Sequence, residues 1–471
     1  MSRLSLLDLA FFIAENPASP KHVGGLHIHQ RPAGAPDDFA RALYEEWLTH
    51  SAVKAPFNRV IEFLGAGLMP SWRSVSKVDL KQHLHFHRLP ARHRDREALY
   101  ALVAELHEPM LERKRPLWEV HVIDGLWDGQ FAVYYRMHHA YADGITMARW
   151  GAESLATRAD DLQLRPVWAT DHTRRRSGGS GGTGLRSLSL DRALVAKTWK
   201  RLTANSQRAI GVGRLTAMLL LEAMKLTKNA IAVPFMASGE TPFTGKATPG
   251  RQLATAALPM ARIAAVRKAA RATLNHVALT CLDGAMHRYL AEEGVKLDRP
   301  ITIQMPVSLR KPGSKAAQSD AGNKIGIILV DLAEPTDDAY VRLRNVGYSL
   351  RNVRNLVDSV TPEAIETYTI LTGVLGQLAD MMKLSELVTP MGNCTVSNVP
   401  GPEERLYLKG APLMEMHPVS TLPPTHLLNI TLFSYAGQLY VGLVATDTLP
   451  NLGRLAELVE DEFRVLEAAV S

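Results

Sequence analysis

Cysteine is nearly absent: Cys281 and Cys394 are the only two in 471 residues. Such a chain is not a disulfide-stapled secreted domain. Neither cysteine belongs to a C-x-x-C or Cys/His array, so no structural zinc centre is expected. Long hydrophobic runs are also lacking. The most apolar stretch, Ile210 to Leu226, is interrupted by Arg214 and Glu222, whereas a membrane-spanning helix needs about 20 predominantly apolar residues. The opening MSRLSLLDLAFFIAEN imitates a secretion signal for a few residues, but Asp8 and Glu15 break it and no small-residue cleavage site follows. These features lead us to expect a cytoplasmic protein. What remains is ordinary globular composition, 46% apolar and 21% charged, which excludes a mostly disordered or collagen-like chain. The length calls for two or three domains.

The net charge of +7 is unevenly spread: Arg165 to Gly250 holds 14 Lys and Arg against 4 Asp and Glu. The basic excess is therefore confined to one central segment and needs a local explanation. That segment is also the compositional break. Arg174, Arg175 and Arg176 precede a Gly/Ser-rich stretch, the signature of a flexible linker. Leu185 to Ile231 then turns helical in pattern, and Pro234, Pro242 and Pro249 mark a second connection. We read an N-terminal domain over 1–165, a basic helical connector over 166–250 and a C-terminal domain over 251–471.

Both flanking domains alternate strand-like and helix-like runs. FAVYYRM (131–137), ITIQM (301–305), KIGIILVDL (324–332) and NITLF (429–433) read as strands. Helical periodicity covers 97–112, 260–272, 276–292, 338–356 and 452–469. The class is α/β, in α+β layers. A short internal repeat supports two similar halves. Gly129-Gln130-Phe131-Ala132-Val133 resembles Gly437-Gln438-Leu439-Tyr440-Val441, and the offset of 308 sets His138 against Thr446 and His139 against Asp447. Two related hairpins, one with histidines at its end, describe a pseudo-dimer with a single active site.

The sharpest motif is His138-His139-Ala140-Tyr141-Ala142-Asp143-Gly144, directly after the strand FAVYYRM. Adjacent strand residues point to opposite faces, so the two histidines do not share a metal: one faces a cleft and the other packing. A histidine at a strand exit suits general-base work, because its pKa lies near working pH and a neighbour can orient either nitrogen. Asp143 would brace the turn closed by Gly144. A core histidine beside a turn aspartate is the plainer reading, and the full spacing after a strand outweighs it.

HHxxxDG resembles the signature of CoA-dependent acyltransferases built like chloramphenicol acetyltransferase and of peptide-synthetase condensation domains. The rest of the chain resembles the bacterial wax ester synthase/acyl-CoA:diacylglycerol acyltransferases. The opening LSLLDLAFFIAENPASPKHVGGL, Pro116-Leu117-Trp118, Pro306-Val307-Ser308-Leu309-Arg310, Gly322-Asn323 and Ser397-Asn398-Val399-Pro400-Gly401-Pro402 match that family's blocks in order. One departure stands out: the family's Asn-Asp pair is Asn275-His276 here, which makes a chemical role for that aspartate doubtful and a structural one at a helix start preferable.

The resemblance implies two chloramphenicol-acetyltransferase-like subdomains with an active-site tunnel between them, acyl-CoA entering from one side and the alcohol from the other. It implies His139 as general base, attack of the alcohol oxygen on the thioester and no covalent acyl-enzyme. It also implies no cofactor, acyl-CoA being a substrate, and long-chain alcohol or diacylglycerol as acceptor. Asn275 and Ser397 are polar candidates for holding the oxyanion. Arg310 would pair with Asp143 across the domains, and Pro116 and Trp118 would be structural. Gly373 and Gly376, inside an apolar helical run, either permit close packing or leave room for an acyl chain. A condensation-type enzyme using carrier-bound acyl groups is the alternative within enzymes, and a non-catalytic lipid-surface protein the alternative outside them.

His83, His85 and His87 look like zinc ligands, but the stretch also reads as a solvated edge strand with no fourth ligand at metal spacing, and no metal is expected. No nucleic-acid motif accompanies the arginines at 174–176. Those arginines, with Trp199 and Leu202, fit peripheral contact with the inner membrane or lipid inclusions.

Overall fold

The structure, a computed structural model, describes residues 2–4, 8–9, 11–12, 15–62, 70–92, 94–172, 241–308, 325–359, 392–423 and 425–470, with Ile365 and Thr369. The strands in chain order are β1 (Ser2–Arg3), β2 (His22–Gln30), β3 (Arg59–Glu62), β4 (Ser71–Ser74), β5 (Leu84–Arg88), β6 (Trp118–Asp124), β7 (Gln130–His138), β8 (Arg251–Pro259), β9 (Thr302–Ser308), β10 (Ile325–Asp331), β11 (Cys394–Val399), β12 (Tyr407–Leu408), β13 (Ala411–Val419), β14 (Leu428–Tyr435) and β15 (Gln438–Thr446). The α-helices among the described residues are α1 (Phe39–Thr49), α2 (Arg96–His107), α3 (Gly144–Glu153), α4 (Met260–Ala270), α5 (Leu274–Glu292), α6 (Ala339–Ser359) and α7 (Leu452–Val470).

Two six-stranded sheets carry the fold, in the orders β12-β13-β2-β7-β6-β5 and β10-β9-β11-β14-β15-β8, beside a small sheet β1-β4-β3. The quartet β2-β7-β6-β5 is repeated by β8-β15-β14-β11. In each, the first two pairings are antiparallel and the last is parallel. The short repeat is the centre of this duplication, since β7 and β15 both span nine residues and start 308 positions apart. Asp128-Gly129 and Ala436-Gly437, which precede them, all have positive φ, from 44° to 82°. Glycine takes that backbone without steric cost, and such a left-handed pair fits the twist of a hairpin.

The sheets also cross the boundary expected near residue 251. β13 pairs antiparallel with β2, so the C-terminal half lends a strand to the N-terminal sheet. Its sequence did not signal this, because Pro412 and Pro418 break the strand pattern and a register shift falls between Leu413 and Glu415. The hydroxyls of Tyr435 and Tyr440 bond Leu413 O and Met414 O on the same strand.

Each half has its own apolar core. Leu117, Trp118, Val133, Trp150 and Trp168 anchor the first, and Val277, Met286, Ile430, Leu443 and Phe463 the second. The five helical periodicities correspond to α2, α4, α5, α6 and α7. Side-chain caps start four of these helices: Asp95 accepts from Ala98 N–H at 2.8 Å, Asp143 from Thr146 N–H at 2.9 Å, Thr273 from His276 N–H at 3.2 Å and Asp338 from Val341 N–H at 2.9 Å. Each satisfies a backbone donor that has no partner inside the helix. Most of the connector, 173–240, lies outside the described residues, as do Leu309–Lys324, Gly373 and Gly376.

The stretch expected as a solvated edge strand is corrected in part. β5 is an edge strand, but His83 just before it is buried, stacks on Trp118 at 4.4 Å and donates from Nδ1 to Trp118 O at 2.7 Å. His85 and His87 pack on His121, and the His87 and His121 rings hydrogen-bond at 3.1 Å. His85 and His87 turn inward because the register of β5 on β6 sets them opposite His121 and Ile123, on a buried face that also carries Glu119. Among the described residues no three His, Cys, Asp or Glu side chains are grouped to hold a metal ion.

Buried histidines throughout the chain make the fold sensitive to acid. Burial brings His29 and His107 down to about 3, and His121, His287 and His426 down to about 4, from an ordinary 6.5. The unfolded chain therefore binds more protons at these rings below 6.5, and the stability they contribute is complete above that value and lost as pH falls below it. We expect the urea midpoint to fall continuously from pH 6.5 toward pH 4. A flat profile over that window would contradict the buried, neutral state of these rings.

Candidate active site

The motif after β7 is held from three sides. From Pro116-Leu117-Trp118, Leu117 O accepts the His138 N–H at 2.9 Å, and Leu117 N–H donates to Tyr141 Oη at 2.8 Å. Tyr141 in turn donates to Arg59 O at 2.8 Å. Pro116 is buried, and Trp118, 1% exposed, donates from Nε1 to Phe57 O at 2.8 Å. From the entry to β2, Lys21 O accepts the His139 N–H at 2.8 Å. The third side is α3, whose N-cap is Asp143 and whose first residue is Gly144. A Cβ on Gly144 would touch Val399 Cγ2 at 3.5 Å, so the end of the motif abuts β11 of the other sheet.

The two histidines face different surroundings. His138 is fully buried, and its Nδ1 accepts the Ala140 N–H at 3.1 Å. With Nδ1 so engaged the ring carries a proton on Nε2, which lies 3.5 Å from Glu15 Oε1. That separation is long for a hydrogen bond and short for charge attraction. His139 is half-buried.

Glu15 connects both. Its Oε1 accepts the Lys21 N–H at 3.2 Å and its Oε2 accepts from Arg113 Nη2 at 2.9 Å. Burial pushes this carboxyl up, but His138, Arg113 and the Lys21 N–H outweigh it and bring it down to about 2. Lys21 is itself buried, which lowers its ammonium to about 7 against the pull of Glu15. Its Nζ donates to Leu422 O at 3.0 Å, and Thr421 Oγ1 donates to Pro20 O at 2.5 Å. The segment that supports His139 is thus tied to the C-terminal half.

Sequence reasoning passed over Glu15 and Lys21. The available signal was a carboxylate inside the apolar run LLDLAFFIAEN, which has little reason to be there unless its charge is used.

The remaining candidates separate. Val396 of β11 belongs to the C-terminal core and Val399 packs against the N-terminal one. Alternation therefore turns Ser397 and Val399 toward the motif and Asn398 toward the helical layer. Ser397 Oγ shares a hydrogen bond with Thr431 Oγ1 at 2.9 Å. Asn275, near the start of α5, is exposed and accepts from Asn398 Nδ2 at 2.7 Å. Ser397 and Asn275 thus belong to opposite faces of the sheet. His276 packs near Gly347 of α6 in the helical layer, where burial and then Arg351 lower its pKa. Arg310, Gly373 and Gly376 lie outside the described residues. In the second half, Thr446 takes the place of His138 opposite Arg251, and Asp447 fills the space beside Gly250.

A duplicated sheet with one His-His motif at a strand exit places the chain in a known class. Its fold matches the first condensation domain of the calcium-dependent antibiotic synthetase with a TM-score of 0.61 at 15% identity, covering 100% of this chain and 96% of that one. It matches the wax ester synthase/diacylglycerol acyltransferase of Marinobacter aquaeolei VT8 with a TM-score of 0.75 at 29% identity, covering 100% of both. Residues 4–278 match the wax ester synthase/diacylglycerol acyltransferase catalytic domain, and residues 321–467 match the WS/DGAT C-terminal domain. A protein of Mycobacterium tuberculosis H37Rv named as a diacylglycerol O-acyltransferase is 33% identical over 473 residues, 99% of this chain and 100% of that one. Another so named from the same organism is 31% identical over 465 residues, 98% of each chain. The chain belongs to the wax ester synthase/diacylglycerol acyltransferase family and is an acyl-CoA-dependent O-acyltransferase.

Proposed function

We propose that this acyltransferase moves a long-chain acyl group from CoA to a fatty alcohol, giving a wax ester, or to diacylglycerol, giving triacylglycerol. His139 takes the hydroxyl proton as the oxygen attacks the thioester carbonyl. The tetrahedral intermediate collapses, the C–S bond breaks, and the imidazolium returns its proton to the departing thiolate. Holding both substrates together supplies much of the rate without an acyl-enzyme. The observation that carries this reading is the contrast between the two histidines, His138 fully enclosed and His139 only half-buried. Ser397 is the better oxyanion candidate of the two considered, because its face of β11 is the one turned to the motif. Asp143 supports the motif by capping α3.

Purified protein with palmitoyl-CoA, hexadecanol and a thiol reagent tests the reading. We expect CoA release that depends on the alcohol, with ester as product, and a panel of alcohols and diacylglycerol then ranks the acceptors. Release only with an acyl-carrier protein would favour the condensation-type alternative, and none at all a non-catalytic lipid-surface role.

Acceptors of this kind reside in membranes or lipid inclusions, so the enzyme has to reach an apolar phase. No helix among the described residues is long and apolar enough to cross a membrane. The basic connector is our candidate for peripheral contact at the inner membrane or an inclusion, at about 1 kcal/mol per Lys or Arg near an anionic surface. We expect vesicles containing anionic lipid to bind the protein, less so as salt rises. Changing Arg174, Arg175 and Arg176 to Ser should weaken flotation further and spare turnover of soluble short substrates. Flotation indifferent to salt, lipid charge and these arginines would remove the connector from this role.

A further inference from the structure

His139 has an aromatic ring lying flat against it. Phe11 stacks on its imidazole with centroids 4.3 Å apart and planes 19° from parallel. The next residue repeats the arrangement on the other histidine: Phe12 and His138 stack at 4.2 Å and 11°. Two consecutive aromatics thus cover two consecutive histidines, one each.

Phe12 is the fixed member of the pair. It is 4% exposed and meets Trp72 edge-on at 5.8 Å. Its carbonyl accepts from Arg113 Nη2 at 3.0 Å, while the guanidinium lies over its ring at 5.4 Å. Arg113 also holds Glu15, so residues 12 and 15 are anchored through one side chain. The backbone that carries Phe11 is thereby held beside His139. Phe11 and His139 are both half-buried, so their stack stands at the border of the enclosed interior.

We propose that Phe11 positions His139 and keeps water off it, so that the acyl group passes to an apolar alcohol in preference to water. This rests on the reading of His139 as the base. A parallel ring blocks rotation of the imidazole about its own axis. It denies one face of the base to water and gives an acceptor's alkyl chain an apolar neighbour. It also presents a π face to the imidazolium formed when the hydroxyl proton is taken.

The competing reaction is the same step with water in place of the alcohol. A C–O bond forms to the water oxygen, the C–S bond breaks, and fatty acid and CoA leave, the imidazolium returning its proton to the thiolate. Nothing in HHxxxDG itself tells one hydroxyl from the other, so discrimination has to come from what lies against the base.

The test uses the full chain with palmitoyl-CoA, with and without hexadecanol, and quantifies palmitate and palmityl ester. Phe11→Ala should lower ester formation and raise the palmitate-to-ester ratio about 10-fold, with KM for palmitoyl-CoA little changed. Phe11→Leu, which keeps an apolar cover without the π face, should hold the ratio near the parent value while lowering kcat. Phe11→Tyr should preserve both. His139→Ala separates the two readings. If it abolishes both products and Phe11→Ala leaves the ratio unchanged, the role of Phe11 is overturned. If His139→Ala turns over normally, the base assignment itself fails. Should Phe11→Ala not fold, a Phe11→Leu enzyme with parent kcat would overturn the positioning role alone, and a folded Phe11→Ser enzyme with the parent ratio would overturn the shielding.

Discussion

His139→Ala is expected to lower alcohol-dependent CoA release by about 10²–10⁴-fold, the usual span of a general-base contribution. Its thermal midpoint should change little, because the side chain is half-buried and the backbone N–H bond to Lys21 O does not need the ring. His138→Ala should behave differently. That ring is fully enclosed, stacks on Phe12, accepts the Ala140 N–H and faces Glu15. Its removal should lower stability and distort the turn that carries His139. Rates and melting curves for both variants decide the matter. Parent turnover in His139→Ala would remove the base assignment, and equal losses in both variants at unchanged stability would contradict the division of roles.

Trp118→Ala is expected to cost about 3–5 kcal/mol of folding stability, the range for truncating a large buried aromatic. Its ring stacks on Trp168 at 5.3 Å and on His83 at 4.4 Å, meets Phe57 edge-on at 5.6 Å, and donates its one polar hydrogen to Phe57 O. The neighbouring Leu117 holds both His138 and Tyr141 through its backbone. Activity should therefore fall together with stability even though the indole lies in the core. Urea unfolding of parent and variant measures the loss, and a difference below about 1 kcal/mol would show that the tryptophan cluster is not the anchor we take it to be.

Much of this architecture was legible in the chain. HHxxxDG announced itself because a strand pattern ran directly into it, and strand alternation already assigned its histidines to different faces. The offset of 308 between two short strings identified the duplicated hairpin, because the left-handed turn before each strand demands a glycine and leaves a mark in the sequence. Less legible were β13, whose prolines conceal a strand, and the histidines of β5, whose alternation matches a wet edge as well as a dry one.

Glu15 shows most clearly where sequence stops. In the chain it is a charge that spoils an imitation signal peptide; in the fold it faces His138, Arg113 and Lys21 at once. By itself the sequence determined the local elements, the duplication and the motif, because those depend on periodicity, turn chemistry and spacing between near neighbours. Only the tertiary structure decided that Phe11, Phe12 and Glu15 reach the motif from more than a hundred residues away. It alone decided, too, that Ser397 and Asn275 take opposite faces of a sheet and that β13 joins the other half. Each of these depends on which surfaces meet when two sheets and their cores close together, and no local pattern encodes the direction of that closure.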